Sequence, residues 1–200
     1  MIKFFSLFCI AISLYSVDLE YRGENSQFII NNKTFETLDY NRFRSSLYID
    51  SEHISFTSMI DINSFIAKKS VISLQDNIDF SVDVPFDTVS KNSVSDRTLA
   101  YASIYRLNGV YENASRRVSI GLLRVPFGVG RIFTPVDIYN PYQALALEPS
   151  QRQGVFGLYY TYAVGELSTI DMIVTSNKKK ESKMGIRLKS TLKETDVALV

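Results

Sequence analysis

An all-β fold, built as an antiparallel wall that crosses a membrane as strands, is predicted by three observations. Apolar and polar residues alternate with period two over most of the chain from Tyr40 onward, as in Phe43, Leu47 and Ile49 against Arg42, Arg44 and Asp50, and that period belongs to strands. The alternating runs are roughly nine to fourteen residues long, which suits tilted membrane-spanning strands of ~9–11 residues better than the ~5–6 residues usual in soluble sheets. A leader at residues 1–16 carries one basic residue, Lys3, and then a nearly unbroken apolar run from Phe4 to Tyr15. This is the build of a secretory signal peptide, too short to span a bilayer as a helix.

Composition agrees with an ordered, exported chain. A hydrophobic fraction of 46% with 22% charge excludes disorder. The 22 basic and 21 acidic side chains are locally mixed and leave no field to attract nucleic acid. The single cysteine, Cys9, lies in the leader, so the mature chain has no thiol and relies on hydrogen bonds and packing, as a closed barrel in a membrane does. No later run approaches eighteen apolar residues, so no transmembrane helix is expected. Three regions follow: the leader 1–16, a polar lead 17–39, and a wall 40–200 interrupted by a long loop at 127–153.

Taken in order, the wall begins at Tyr40–Asp50 with the alternation given above. Ile54, Phe56, Ile60 and Ile62 then oppose Ser55, Thr57, Asp61 and Asn63; Ile78, Phe80, Val82 and Val84 oppose Asp79, Ser81 and Asp83. Residues 85–97 are polar and turn-rich. From Thr98 to Tyr111, Leu99, Tyr101, Ser103, Tyr105 and Leu107 share one predicted face, and Ala100, Ala102, Arg106 and Asn108 the other. Val118, Ile120 and Leu122 face away from Arg117, Ser119 and Gly121, and Phe156, Leu158, Tyr160, Tyr162 and Val164 away from Tyr159, Thr161 and Ala163. Ile170, Met172 and Val174 oppose Thr169, Asp171 and Thr175; Met184, Ile186 and Leu188 oppose Gly185, Arg187, Lys189 and Thr191. About eight strands result, with tight turns at 112–115, 165–166 and 194–195 alternating with long connections at 85–97 and 127–153 and a basic one at 177–182. Short turns on one rim and long loops on the other are the asymmetry of outer-membrane barrels. Tyr111, Phe127, Tyr139, Tyr142, Phe156, Tyr159 and Tyr160 fall near strand ends, where an interfacial aromatic girdle would sit. A soluble sandwich or lipocalin-like barrel would show the same alternation with the apolar face turned inward; strand length and aromatic placement favour the membrane.

The run R-V-P-F-G-V-G-R-I-F-T-P-V-D-I-Y-N-P from Arg124 to Pro141, followed by E-P-S-Q-R-Q-G-V, resembles porin-like outer-membrane β-barrel proteins of Gram-negative bacteria. In these a strand ends in a Val-Pro-Trp-Gly-like turn, and an Arg and a Pro-x-Asp-x-x-Asn-Pro segment open a long loop. The resemblance covers Thr98 to about Thr175; Phe127 stands where the family has Trp, and the chain has no Trp. It implies a channel but no particular solute. Such barrels usually end in an aromatic residue on a closing strand, whereas this sequence stops at Val200 soon after a new alternating segment begins. A porin-type interior needs about sixteen strands, since eight leave an interior filled by side chains. The expectation is therefore an antiparallel transmembrane β-barrel of which this chain is an N-terminal fragment. In the segment itself, Pro126 removes a ladder donor and Thr134-Pro135 suits a helix start.

Catalytic constellations are weak. His53 is the one histidine, beside Glu52 at a turn, with no Cys and no second His to complete a metal site. Neither a Gly-x-Ser-x-Gly elbow nor a phosphate-binding glycine loop occurs. Asp79 and Asp83, about 13 Å apart along a strand, are read as wetting residues. No enzyme activity, cofactor or metal is expected. Passage of small hydrophilic solutes through a wet lumen is, with selectivity set by charge at the narrowest level. The candidates are Arg106 on the wall and Arg124, Arg131, Asp137, Glu148 and Arg152 on or beside the loop, whose mixed signs predict weak ion preference. Expected partners are outer-membrane lipid and lipopolysaccharide, together with the solutes; Lys178-Lys179-Lys180 reads first as solvated loop charge and second as a contact for lipid or lipopolysaccharide phosphates; a homo-oligomer is compatible with such a wall, and nucleic acid is not a partner. The competing reading is a non-conducting barrel with a structural or surface-binding role in adhesion or polysaccharide attachment.

Overall fold

The computed structural model describes residues 17–32, 36–69, 83–125, 139, 154–192 and 195–199. They form one antiparallel sheet of ten strands without helices. In chain order the strands are β1 (Asp18–Asn32), β2 (Glu36–Asp50), β3 (Ile54–Ala67), β4 (Val89–Ser95), β5 (Thr98–Glu112), β6 (Arg116–Leu123), β7 (Val155–Ala163), β8 (Ser168–Ser176), β9 (Ser182–Leu192) and β10 (Thr195–Leu199). Neighbours in sequence are neighbours in the sheet, except that β5 pairs on one edge with β3 and shares its other edge between β4 and β6. The sheet is open: β1 and β10 lie at its two ends.

This order places the connections 51–53, 113–115 and 164–167 on one rim. The strand ends that lead into 68–88, 96–97, 124–154 and 177–181 lie at the other. Every long connection thus leaves the sheet from the same rim, as strand alternation predicted. The tight turns are locally encoded. Asn113 Oδ1 accepts hydrogen bonds from the backbone N–H groups of Ser115 (3.1 Å) and Arg116 (2.9 Å), and Asn177 Oδ1 accepts one from Glu181 N–H (2.8 Å).

Four differences from the sequence expectations have physical causes. The polar lead 17–39 holds β1, a strand of 15 residues paired along its whole length with β2. Its alternation is confined to Asp18–Arg22, where Leu19 and Tyr21 stand between charges; from Gly23 to Gln27 neither face carries an apolar side chain, so the long strand leaves little mark. Within the turn-rich 85–97, β4 forms a hairpin with the first half of β5. In β5 the ladder skips Tyr105, because Met59 pairs with Arg106 and Ile60 with Ile104. That bulge reverses the alternation, so Arg106 and Asn108 share a face with Leu99 and Tyr101 and do not oppose them. Of the expected strand at 78–84, only Asp83 and Val84 are among the described residues. They lie in a bend, where Val84 is fully buried and Asp83 accepts a hydrogen bond from Lys178 N–H (3.1 Å).

Candidate functional site: a polar concave wall

Register decides which side chains share a face, because residues paired across an antiparallel ladder point the same way. One face carries Glu24, Arg42, Arg44, Asp61, Asn63, Arg106, Ser119, Tyr159, Thr161, Asp171, Thr175 and Arg187. The other carries Phe43, Ile60, Ile62, Leu107, Ile120, Leu158, Met172, Val174, Met184, Ile186 and Leu188. Burial is the reverse of a water-soluble sheet. Arg42 and Asp171 are each only 2% exposed, while Ile120 and Met184 are 55% and 76% exposed. Seven strands, β2, β3 and β5–β9, line one concavity of ≈ 760 Å³, so the sheet curls with its polar face inward.

The buried charges are matched across strands. On the β1–β5 half, Arg44 is a bidentate donor to Asp61, with Nε to Oδ1 and Nη2 to Oδ2 both at 2.6 Å. Arg42 Nη2 donates to Glu24 Oε1 (2.8 Å) and Ser26 Oγ (3.2 Å). The residue expelled by the bulge, Tyr105, receives the Arg44 guanidinium over its ring at 3.7 Å and that of Arg106 at 4.3 Å. On the β7–β9 half, Arg187 donates to Asp171 Oδ2 from Nη2 (2.6 Å) and Nε (2.8 Å), and Thr161 Oγ1 donates to Asp171 Oδ1 (2.8 Å). Burying a charge is strongly penalised unless it is paired, and Arg44 and Arg187 each have a carboxylate oxygen at 2.6 Å.

Two apolar clusters also sit on this face, toward the rim of long connections. Phe28, Tyr40, Phe65 and Tyr101 stack as a row, with successive centroids 5.9, 4.7 and 6.2 Å apart, and Tyr40 Oη donates to Asn63 Oδ1 (2.9 Å). Leu123, Val125, Tyr139, Tyr159 and Ile173 form the second. Tyr139 belongs to the connection 124–154, so that connection touches the concave face at this residue; burial pushes its phenol above the ordinary range. Tyr139 and Tyr159 therefore do not belong to an outward girdle. Among the described residues the outward, exposed tyrosines are Tyr21, Tyr111 and Tyr162, all close to the rim of tight turns.

Of the sequence candidates, the structure brings Arg106 and Arg124 to the concavity. A Cβ added at Gly154 would lie 2.7 Å from Arg106 Nη1, so the bare glycine leaves the space that this guanidinium uses. Arg131, Asp137, Glu148 and Arg152 lie outside the described residues. Arg187, Asp171 and Lys189 were read only as part of the wet face; their clustering needed the register of β7–β9. His53 stands exposed at the 51–53 turn, 3.9 Å from Glu52. Among the described residues no group of three or more His, Cys, Asp or Glu could hold a metal ion. No protein-family model matches the chain, and comparison with curated proteins and with solved structures returns no match.

Proposed function

We propose that this wall is part of a β-barrel in a bacterial outer membrane, reached through the export leader 1–16, whose concave face lines a passage for small hydrophilic solutes. The observation that carries the reading is the reversed polarity: arginines paired with carboxylates inside, and outside a largely apolar surface that runs from Ile60 and Ile62 on β3 to Ile186 and Leu188 on β9. In hydrocarbon the backbone groups of a sheet must all be paired, so the free edges of β1 and β10 need partner strands before the wall can serve there. Long connections gathered on one rim and tyrosines near the other support the same orientation. The exposed Lys178-Lys179-Lys180 turn then lies on the long-loop rim, where lipopolysaccharide phosphates would meet it.

The test is reconstitution of the exported protein. Stepwise conductance in a planar bilayer, and a gel band that shifts between unheated and heated samples, are the expected results. A second reading, a non-conducting barrel with a structural or surface-binding role, is favoured by the two apolar clusters, which occupy concave surface that an open channel would leave wet. Heat-modifiable protein without conductance would select it. Recovery as a soluble periplasmic protein would end both.

A further inference from the structure

We infer that the long-connection ends of β1, β2, β3 and β5 stand clear of hydrocarbon as a water-exposed extension, and that lipid headgroups meet this wall at the outward row Gln27, Asn41 and Ser64; this rests on the membrane reading above and adds to it the level at which lipid ends. Polarity reverses within single strands at that row. On the side of the tight turns, β2 and β3 turn Arg44 and Asp61 inward and Phe43, Ile60 and Ile62 outward. Two residues nearer the long connections both faces have changed. Phe28, Tyr40, Phe65 and Leu99 are paired in succession on the inward face, and Gln27, Asn41 and Ser64 on the outward one. Asp39 also points outward, and Gln27 Nε2 donates to both of its carboxylate oxygens at 3.0 Å. Charge inside with apolar residues outside is the pattern of a wall in lipid; apolar residues inside with polar ones outside is that of a sheet in water. A carboxylate such as Asp39 is costly in hydrocarbon.

Strand lengths point to the same boundary. The outward apolar residues of β8, Ile170, Met172 and Val174, lie between Ser168 and Ser176, an interval of ~26 Å along the strand. The same interval on β3 runs from Phe56 to Ser64. Strands β1, β2, β3 and β5 have 15, 15, 14 and 15 residues, whereas β6, β7 and β8 have 8, 9 and 9. The excess is about six residues, or roughly 20 Å of strand. The tight turns of both halves share one rim, so the excess stands at the other. Ile29 and Ile66 lie within it, on either side of Asp39 in one outward rung, and are 66% and 53% exposed. Apolar as they are, they face water. The stacked rings of Phe28, Tyr40, Phe65 and Tyr101 hold the extension from its inner face.

The experiment is spin labelling of the reconstituted protein in a Cys9→Ser background, Cys9 being the one cysteine of the chain. Ile60→Cys, Ile62→Cys, Ile66→Cys and Leu158→Cys each carry a nitroxide in turn, whose collisions with oxygen, concentrated in lipid, are compared with those of a nickel chelate that stays in water. Labels at Leu158, Ile60 and Ile62 should favour oxygen, and the oxygen-to-nickel ratio should fall several-fold over the ~13 Å of strand between Ile62 and Ile66. Ile66→Arg should leave the yield of heat-modifiable protein within about twofold of the parent, while Ile60→Arg, nearer the midplane, lowers it by roughly tenfold or more. A label at Ile66 as open to oxygen as that at Ile60, with Ile66→Arg as damaging as Ile60→Arg, overturns the inference and leaves the membrane reading standing. Nickel-favoured labels at Ile60 and Ile62 with an oxygen-favoured one at Leu158 do the same. Labels reached by nickel at all four sites overturn both.

Discussion

Arginine placed at Leu158 should unfold the protein far more readily than arginine placed at Thr169, two strands' faces apart in polarity but only one hairpin apart in sequence. Leu158 belongs to an outward rung in which Ile120, Leu158, Val174 and Met184 are paired in succession across β6 to β9. All four side chains are apolar and exposed. If that rung lies near the bilayer midplane, an arginine there costs about 2–4 kcal/mol, which is roughly a 30- to 900-fold shift in the folding equilibrium. Thr169 lines the concavity and is paired with Lys189. An arginine there meets water and a like charge across the ladder, a penalty of less than about 1 kcal/mol. Equilibrium unfolding in urea, followed by far-ultraviolet circular dichroism in lipid vesicles, gives both values. Equal loss at the two sites would mean that both faces are packed or both wet, and the membrane orientation would be refuted.

Further outcomes follow from the same geometry. Asp171→Leu leaves Arg187 buried without its carboxylate and should cost about 3–5 kcal/mol, whereas the Asp171→Leu, Arg187→Leu double variant should lose less; a double variant as damaged as the sum of the singles would deny the coupling. Tyr105→Phe should keep the ring between Arg44 and Arg106 and change little, while Tyr105→Ala should cost about 1–2 kcal/mol in the same urea titration. Gly157→Ala should lower refolding yield, because its Cβ would lie 2.4 Å from the backbone oxygen of Val174; Gly109→Ala, with nothing within 4 Å, should not. Comparable yields for the two would show that the β7–β8 ladder is looser than its register implies.

Much of the wall was legible in the sequence because half of each strand had to be apolar and half polar. In β2, β3 and β6–β9 the period-two pattern named the outward residues, from Phe43 to Leu188, and the polar ones opposite. What stayed hidden lacked that contrast. β1 is polar on both faces over Arg22–Asn25, and its pairing comes from the long edge of β2. The bulge at Tyr105 leaves no mark in composition, yet it moves Arg106 to the face of Tyr101 and the concavity. A girdle reading that ignores parity and depth misplaces Tyr159: it is the middle residue of β7, and its parity turns it inward beside Arg187. The all-β antiparallel architecture is what the structure bears out; the membrane and the channel rest on the reversed polarity.

Because the chain contains no tryptophan, one introduced tryptophan reports its surroundings without background. Leu158→Trp and Ile186→Trp, reconstituted in vesicles whose acyl chains are brominated, should lose most of their fluorescence to the lipid and little to aqueous iodide. Thr169→Trp should be quenched by iodide and spared by the brominated chains. The opposite pattern, or protein that stays in the aqueous phase with all three residues reached by iodide, would contradict a wall whose apolar face meets lipid and whose charged face meets water.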